Sequence, residues 1–220
     1  KITLGNTGLN VSRLGLGTVK FGRNQGVKYP QGFELPTEEY LSDFLKQAKS
    51  LGINMLDTAP AYGKSEERLG RLLKGQREDW IIVGKAGEEF EDSESSYNFT
   101  PDHFEYSLER SLKRLNTDYI DALLIHSDGS DTKILQNDSL IRKMHEFKEQ
   151  GLVKAIGAST KTANGGVKCL ELMDICMAMY TQDYQDEKPV LDYAAKHNKS
   201  VILKKVLSSG HNSNIEDAMK

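Results

Sequence analysis

Seven short apolar runs punctuate the chain, and they do not alternate strictly between apolar and polar positions. They are RLGLGT (13–18), INMLDT (53–58), WIIVGK (80–85), DALLIH (121–126), VKAIGAS (153–159), DICMAMY (174–180) and VILKKVL (201–207). Rich in Ile, Val and Leu, they predict strands buried on both faces, as in a parallel sheet. The segments between them carry apolar residues at helical spacing, with caps. Thr37 precedes the acidic turn Glu38-Glu39, and Leu41, Phe44, Leu45 and Ala48 share one face before Gly52. Ser65 opens a shorter helix over Leu69, Leu72 and Leu73, closed by Gly75. Thr100 and Pro101 start the clearest helix, with Phe104, Leu108, Leu112 and Leu115 in register. Two more are predicted, from Ser139 to Gln150 and from Lys188 to His197.

Strand and helix alternate throughout, which predicts an α/β fold of the (β/α)₈ TIM-type barrel. A doubly wound sheet would carry G-x-G-x-x-G after its first strand. LGLGTVKFG lacks that spacing, and the first strand is expected to run into a Gly-containing loop over 22–36, with no helix following at once. NIEDAMK (214–220) reads as the start of a helix, and no eighth strand can be found. An open barrel leaves two strand edges exposed. The expectation is therefore one barrel domain over 1–220, C-terminally incomplete through truncation or disorder. AGEEFEDSESS (86–96) has five acidic residues and reads as a solvated loop placed to frame a site mouth.

A length of 220 residues suffices for a sizeable core. The charge balance of 29 − 32 = −3, without a basic run, argues against nucleic acid or an anionic membrane as main partner. No apolar stretch approaches the ~18 residues of a membrane span, and no signal-peptide pattern opens the chain, so a cytoplasmic protein is expected. Cys169 and Cys176 read as buried thiols of a reduced protein. The oligomeric state is left open.

Chemistry concentrates at strand ends. Asp57 and Tyr62 in LDTAPAYGKSE, Lys85 in IIVGKAG and His126 in DALLIHSDG each lie at or just past the end of an apolar run. A parallel barrel assembles one site from such positions. Hydride delivery to a ketone or aldehyde leaves an alkoxide, which needs a proton or a positive field. A phenol is a poor acid near neutrality, and a lysine ammonium beside it favours the phenolate. Asp57 would keep Lys85 charged, and His126 would orient the carbonyl oxygen. None of these groups supplies a hydride, so a nicotinamide cofactor is implied. Singly, each residue has an ordinary structural reading; together at successive strand ends they point to catalysis. His103, His145, His197 and His211 are expected to be exposed, and Trp80 to pack in the core. Asp128 and Asp131 in HSDGSD read as loop caps, and no metal site is expected without paired His ligands. Ser208, Ser209 and Gly210 form either a phosphate-binding turn or a plain Gly turn.

These residues resemble the aldo-keto reductase superfamily over nearly the whole chain. The resemblance rests on LGLGT, GINMLDTAPAYGKSEERLGRLL, the Lys of IIVGKAG, SLERSLKRLNTDYIDALLIH and GLVKAIGAST. It implies Tyr62 as general acid, Lys85 and Asp57 tuning it, His126 orienting a small carbonyl substrate, and NADP(H), favoured over NAD(H), lying across the barrel mouth. By the same resemblance Gly17, Thr18 and Asp57 would lie near the nicotinamide ribose, and Ser159 would bond the carboxamide. Many members end the seventh strand in an aromatic-Ser-Pro-Leu motif whose ring stacks on the nicotinamide. Here Lys204 stands for the aromatic and Lys205 for the Ser, facing cofactor phosphates or the site. Two rival readings keep the fold. One is a cofactor-binding regulatory protein with little catalytic role, and the other a lyase or isomerase using Lys85 as a Schiff base.

Overall fold

Each of the seven apolar runs forms a strand, and all seven pair side by side in parallel in one curled sheet. In the computed structural model, which describes residues 1–211, the chain runs β1 (Ile2–Thr3), β2 (Asn10–Val11), β3 (Gly15–Gly17), α1 (Val19–Gly22), α2 (Glu38–Ser50), β4 (Met55–Asp57) and α3 (Ser65–Leu72). It continues with β5 (Ile81–Ala86), β6 (Glu88–Glu91), β7 (Glu94–Tyr97), α4 (Pro101–Leu115), β8 (Ile120–His126), α5 (Asp131–Leu135) and α6 (Asp138–Glu149). The last elements are β9 (Val153–Ser159), α7 (Ala163–Leu172), β10 (Ile175–Met179), α8 (Lys188–His197) and β11 (Ser200–Lys204). The sheet order is β3-β4-β5-β8-β9-β10-β11, seven consecutive strands of a (β/α)₈ barrel. NIEDAMK lies outside the described residues.

Helix boundaries follow the capping signals. The Thr37 hydroxyl accepts from the Tyr40 amide at 3.2 Å, and Thr100 does the same for His103 at 3.3 Å with Pro101 in the first turn. Asn116, in left-handed conformation, ends α4.

Strand side chains divide between two cores. Ile82, Leu123, Ile156 and Ala178 face the helices, with Phe104, Leu108, Phe147 and Leu170. Their neighbours Val83, Leu124, Ala155 and Met177 face the barrel interior, with Met55, Ile175 and Ile202. Both faces are apolar, so the strands read as runs rather than as alternation.

Three features depart from expectation. Residues 1–11 form the small antiparallel hairpin β1-β2, whose Leu4, Leu9 and Val11 join the interior core. A one-turn helix, α1, does follow the first barrel strand at once. The acidic stretch after β5 is not a loop but the antiparallel hairpin β6-β7, with Glu91 paired to Glu94 across a two-residue turn. Asp92 and Ser93 there have φ of 50° and 68°, the left-handed pair that a tight hairpin turn requires. Its charges divide: Glu91, Asp92 and Glu94 near the turn are exposed, as expected, whereas Glu88 and Glu89 are partnered. Glu89 accepts from Arg110 at 2.6 and 2.8 Å, and His103, expected to be exposed, is half-buried 3.3 Å from Glu89. His145, His197 and His211 are exposed, and Trp80 is buried. Cys169 and Cys176 are buried free thiols. Among the described residues no helix is long and apolar enough to cross a membrane.

Candidate active site

The period of a β-strand decides which side chains enter the site. Successive side chains point to opposite faces, so the residue two beyond an inward position is inward again. Met55, Val83, Leu124 and Ile202 belong to the barrel interior. Two residues further on stand Asp57, Lys85, His126 and Lys204, at the mouth where the strands end. Register sets their neighbours: Asp57 pairs with Val83, Lys85 with Leu124, and His126 with Ser159. All these polar residues line one cleft of about 370 Å³, with Tyr62, Gly17, Lys205 and Ser209.

Tyr62 arrives by a different route, on the single 3₁₀ turn Pro60–Tyr62 after β4. The turn is pinned from outside the strand. The Arg23 guanidinium donates to the Ala61 carbonyl at 3.0 Å, and Gly22 packs directly on the backbone. A Cβ at Gly22 would stand 2.1 Å from the Ser65 nitrogen and 2.4 Å from the Tyr62 carbonyl oxygen. Gly22→Ala must therefore displace the Tyr62 turn. We expect a lower Tm together with a fall in turnover, read by thermal unfolding and steady-state kinetics.

The Lys85 ammonium is buried, donates to Asp57 Oδ1, and reaches the Thr58 carbonyl and Tyr62 Oη, both at 3.1 Å. Three partners leave this amine no freedom to attack a carbonyl, which argues against the Schiff-base reading. Tyr62 Oη donates in turn to Asp57 Oδ2 across 3.4 Å. A lysine alone would pull the phenol's pKa down. Here burial, then the Asp57 and Glu88 carboxylates, push it well above its ordinary value of 10. Tyr62 thus rests as a neutral phenol, the form that can donate a proton.

The His126 ring stands edge-to-face to Tyr62, with centroids 6.1 Å apart. Burial, with the nearby cations Lys85, Lys204, Lys161 and Arg23, holds its pKa well below 6.5, so the ring is neutral at pH 7. Glu88 lies 3.1 Å from its Nδ1 and 3.8 Å from Arg23. Glu88, Arg23, Tyr97 and Lys161 also line the cleft: the acidic stretch expected to frame the mouth does so through Glu88, while none of the four stands out individually in the sequence. The hairpin carries Glu88 and Tyr97, and its short charged strands hid them.

Lys204 donates to Ser159 Oγ at 2.9 Å and to the Thr160 carbonyl at 2.6 Å. Burial lowers its pKa to about 8. Thr18 is fully buried: its hydroxyl donates to the Asp57 carbonyl at 2.9 Å and accepts from Ser65 at 2.7 Å. It braces the strand end rather than lining the cleft. Asp131 accepts from the Lys161 amide at 3.0 Å and the Thr162 hydroxyl at 2.6 Å, the capping role expected of it. No cluster of His, Cys, Asp and Glu among the described residues could hold a metal ion.

Comparison with known proteins bears on the fold and the family. The chain superposes on the structure of PA4992 from Pseudomonas aeruginosa, assigned as an aldo-keto reductase, with a TM-score of 0.88 and 48% identity. That alignment covers 95% of this chain and 79% of the other. It is 29% identical to the oxidoreductase YqkF of Bacillus subtilis over 96% of its own length. It is 30% identical to the NADH-specific methylglyoxal reductase of Escherichia coli over 82%. The chain spans 65% of the first of these and 59% of the second. A likeness of fold and sequence that runs from the first barrel strand onward, with residues 13–219 matching one family throughout, makes this chain a member of the aldo/keto reductase family.

Proposed function

We propose that the protein is an NAD(P)H-dependent reductase of aldehydes or ketones, in which Tyr62 delivers the proton. The observation that carries this reading is the placement of Tyr62 Oη, 3.1 Å from the buried Lys85 ammonium, in the cleft that His126 also lines.

The charge of the cleft lining supports a phosphate-bearing cofactor. The walls hold six cationic side chains (Arg23, Lys28, Lys85, Lys161, Lys204, Lys205) against the carboxylates of Asp57 and Glu88. Lys28, Lys161 and Lys205 have no carboxylate within ion-pair distance among the described residues. Such a surplus, on a chain of net charge −3, suits the phosphates of NADP(H), which we favour over NAD(H). At Gly17 nothing lies within 4 Å of where a Cβ would stand, so the strand end is open to a ligand. When bound, the reduced nicotinamide supplies the hydride.

The chain's residues do the rest. Tyr62 donates its phenolic proton to the carbonyl oxygen as negative charge develops there. Lys85 stabilises the phenolate left behind, and Asp57 holds the Lys85 ammonium in place through their ion pair. His126 and the hairpin wall limit how the substrate can lie. The test is NADPH consumption against a panel of aldehydes and ketones, with NADH in parallel. The reading fails if no carbonyl compound is reduced with either cofactor.

Lys204 gives a pH dependence. It is an ammonium below about 8 and an amine above. Glu187 favours the charged form, while burial and Lys205 and Lys85 oppose it. If its charge helps to hold an anionic cofactor, affinity is full near pH 7 and falls as pH rises through about 8. We expect the Kd for NADPH, followed by fluorescence, to rise several-fold between pH 7 and pH 9. Lys204→Met should flatten that profile.

A further inference from the structure

Three separate walls of the cleft meet at Arg23. Each nitrogen of its guanidinium holds a different backbone carbonyl: Nε donates to Gln25 at 2.9 Å, Nη1 to Ala61 at 3.0 Å and Nη2 to Gly26 at 2.8 Å. Gln25 and Gly26 belong to the loop after α1, which lines the cleft through Gly26, Val27, Lys28 and Tyr29. Ala61 is the middle residue of the turn that carries Tyr62. The hairpin β6-β7 supplies the remaining contacts. Arg23 Cζ lies 3.4 Å above the centre of the Phe90 ring, and Nη1 lies 3.8 Å from Glu88. Ser93 ties hairpin to loop directly, donating to the Gln25 side chain at 2.7 Å. The two ends of the loop are fixed independently by the buried Arg68, which donates to the carbonyls of Phe21 and Pro36 at 2.7 and 2.5 Å. That leaves to Arg23 the placing of the loop's middle and of the hairpin against the Tyr62 turn.

We propose that Arg23 is a positioning residue for proton transfer, fixing the Tyr62 hydroxyl in place through the fork geometry of its guanidinium rather than through its charge. Tyr62 needs such a brace. Its turn is three residues long and closes on a single backbone bond, from the Tyr62 amide to the Ala59 carbonyl at 3.0 Å. A displacement of ~1 Å at a reacting group can cost ~10²-fold in rate. A lysine at position 23 would keep the positive charge. It could not direct donors to three carbonyls in one plane, nor lie flat on the Phe90 ring. The hold on Tyr62 stands on these contacts alone; its consequence for turnover rests on the reductase reading above.

Two measurements on the full chain separate these halves. The first is a ¹³C spectrum of protein labelled at tyrosine Cζ, with Tyr62 assigned by its loss in Tyr62→Phe. In Arg23→Lys the Tyr62 resonance is expected to move, while those of Tyr119 and Tyr193, packed on Arg77 and His197, stay in place. An unmoved Tyr62 resonance overturns the proposal, whatever the enzyme reduces. The second is a double-mutant cycle at saturating NADPH. Arg23→Lys is expected to lower kcat by about 10- to 100-fold with the aldehyde KM little changed, and to have almost no effect once Tyr62 is Phe. The same loss in both backgrounds would mean general damage and overturns the proposal, as does full activity in Arg23→Lys, where charge alone would suffice. Should Arg23→Lys not fold, Phe90→Leu removes the ring beneath the guanidinium and spares its three backbone bonds. A smaller loss that again depends on Tyr62 is expected there, and an equal loss in both backgrounds overturns the proposal. Reduction of no aldehyde at all would sink the reductase reading, with the hold on Tyr62 still decided by the spectrum.

Discussion

Tyr62→Phe is expected to lower kcat/KM for carbonyl reduction by about 10²–10⁴-fold, the range associated with a lost general acid, while leaving the cofactor Kd unchanged. The phenyl ring keeps the volume of the side chain and its edge-to-face contact with His126. Only the hydroxyl, 3.1 Å from Lys85 Nζ, is lost. A Phe variant that turned over at near-wild-type rate would remove Tyr62 from the chemistry. One that lost cofactor affinity in step with activity would make it a binding residue instead.

Lys85→Met should act on both rate and stability. The Tyr62 phenol then has no ammonium to stabilise its conjugate base, and the Asp57 carboxylate beside it raises the cost of releasing the proton further. Turnover is expected to fall on the scale of Tyr62→Phe. Stability should fall on the order of 3 kcal/mol, because the Asp57 carboxylate is left uncompensated in a largely buried setting. Adding Asp57→Asn should recover part of the lost stability, read by denaturant unfolding, and none of the activity. Recovery of activity in the double variant would mean that Lys85 acts only to neutralise Asp57.

The barrel strands were legible because their requirement is simple. A strand buried on both faces needs an unbroken apolar run, and Val153–Ser159 and Ile120–His126 satisfy it almost residue for residue. The polar cluster was legible for the same reason: Asp57, Lys85 and His126 are where each run stops being apolar. The hairpin β6-β7 was not. Its strands are four residues long, half-exposed and acidic, and its turn uses Asp92-Ser93 in place of a glycine-containing pair. What stabilises it lies elsewhere in the chain: Arg110 on Glu89, and Arg23 stacked 3.4 Å over Phe90. No local pattern announces partners so distant, so Glu88 could not be placed beside His126. The phenol was read in the wrong direction for a related reason. Sequence order shows that a lysine is near, but not that Tyr62 is half-buried and faces two carboxylates.

The central claim is that the cleft passes hydride from a nicotinamide to a carbonyl carbon, with the proton coming from Tyr62. The most direct test is mass spectrometry of the alcohol formed when the full-length protein reduces its best aldehyde with NADPH dideuterated at C4. The predicted product carries one deuterium on the former carbonyl carbon, and Tyr62→Phe forms it at least a hundred times more slowly, at the low end of the ~10²–10⁴-fold range. An alcohol without deuterium, or cofactor bound but never consumed, would contradict it.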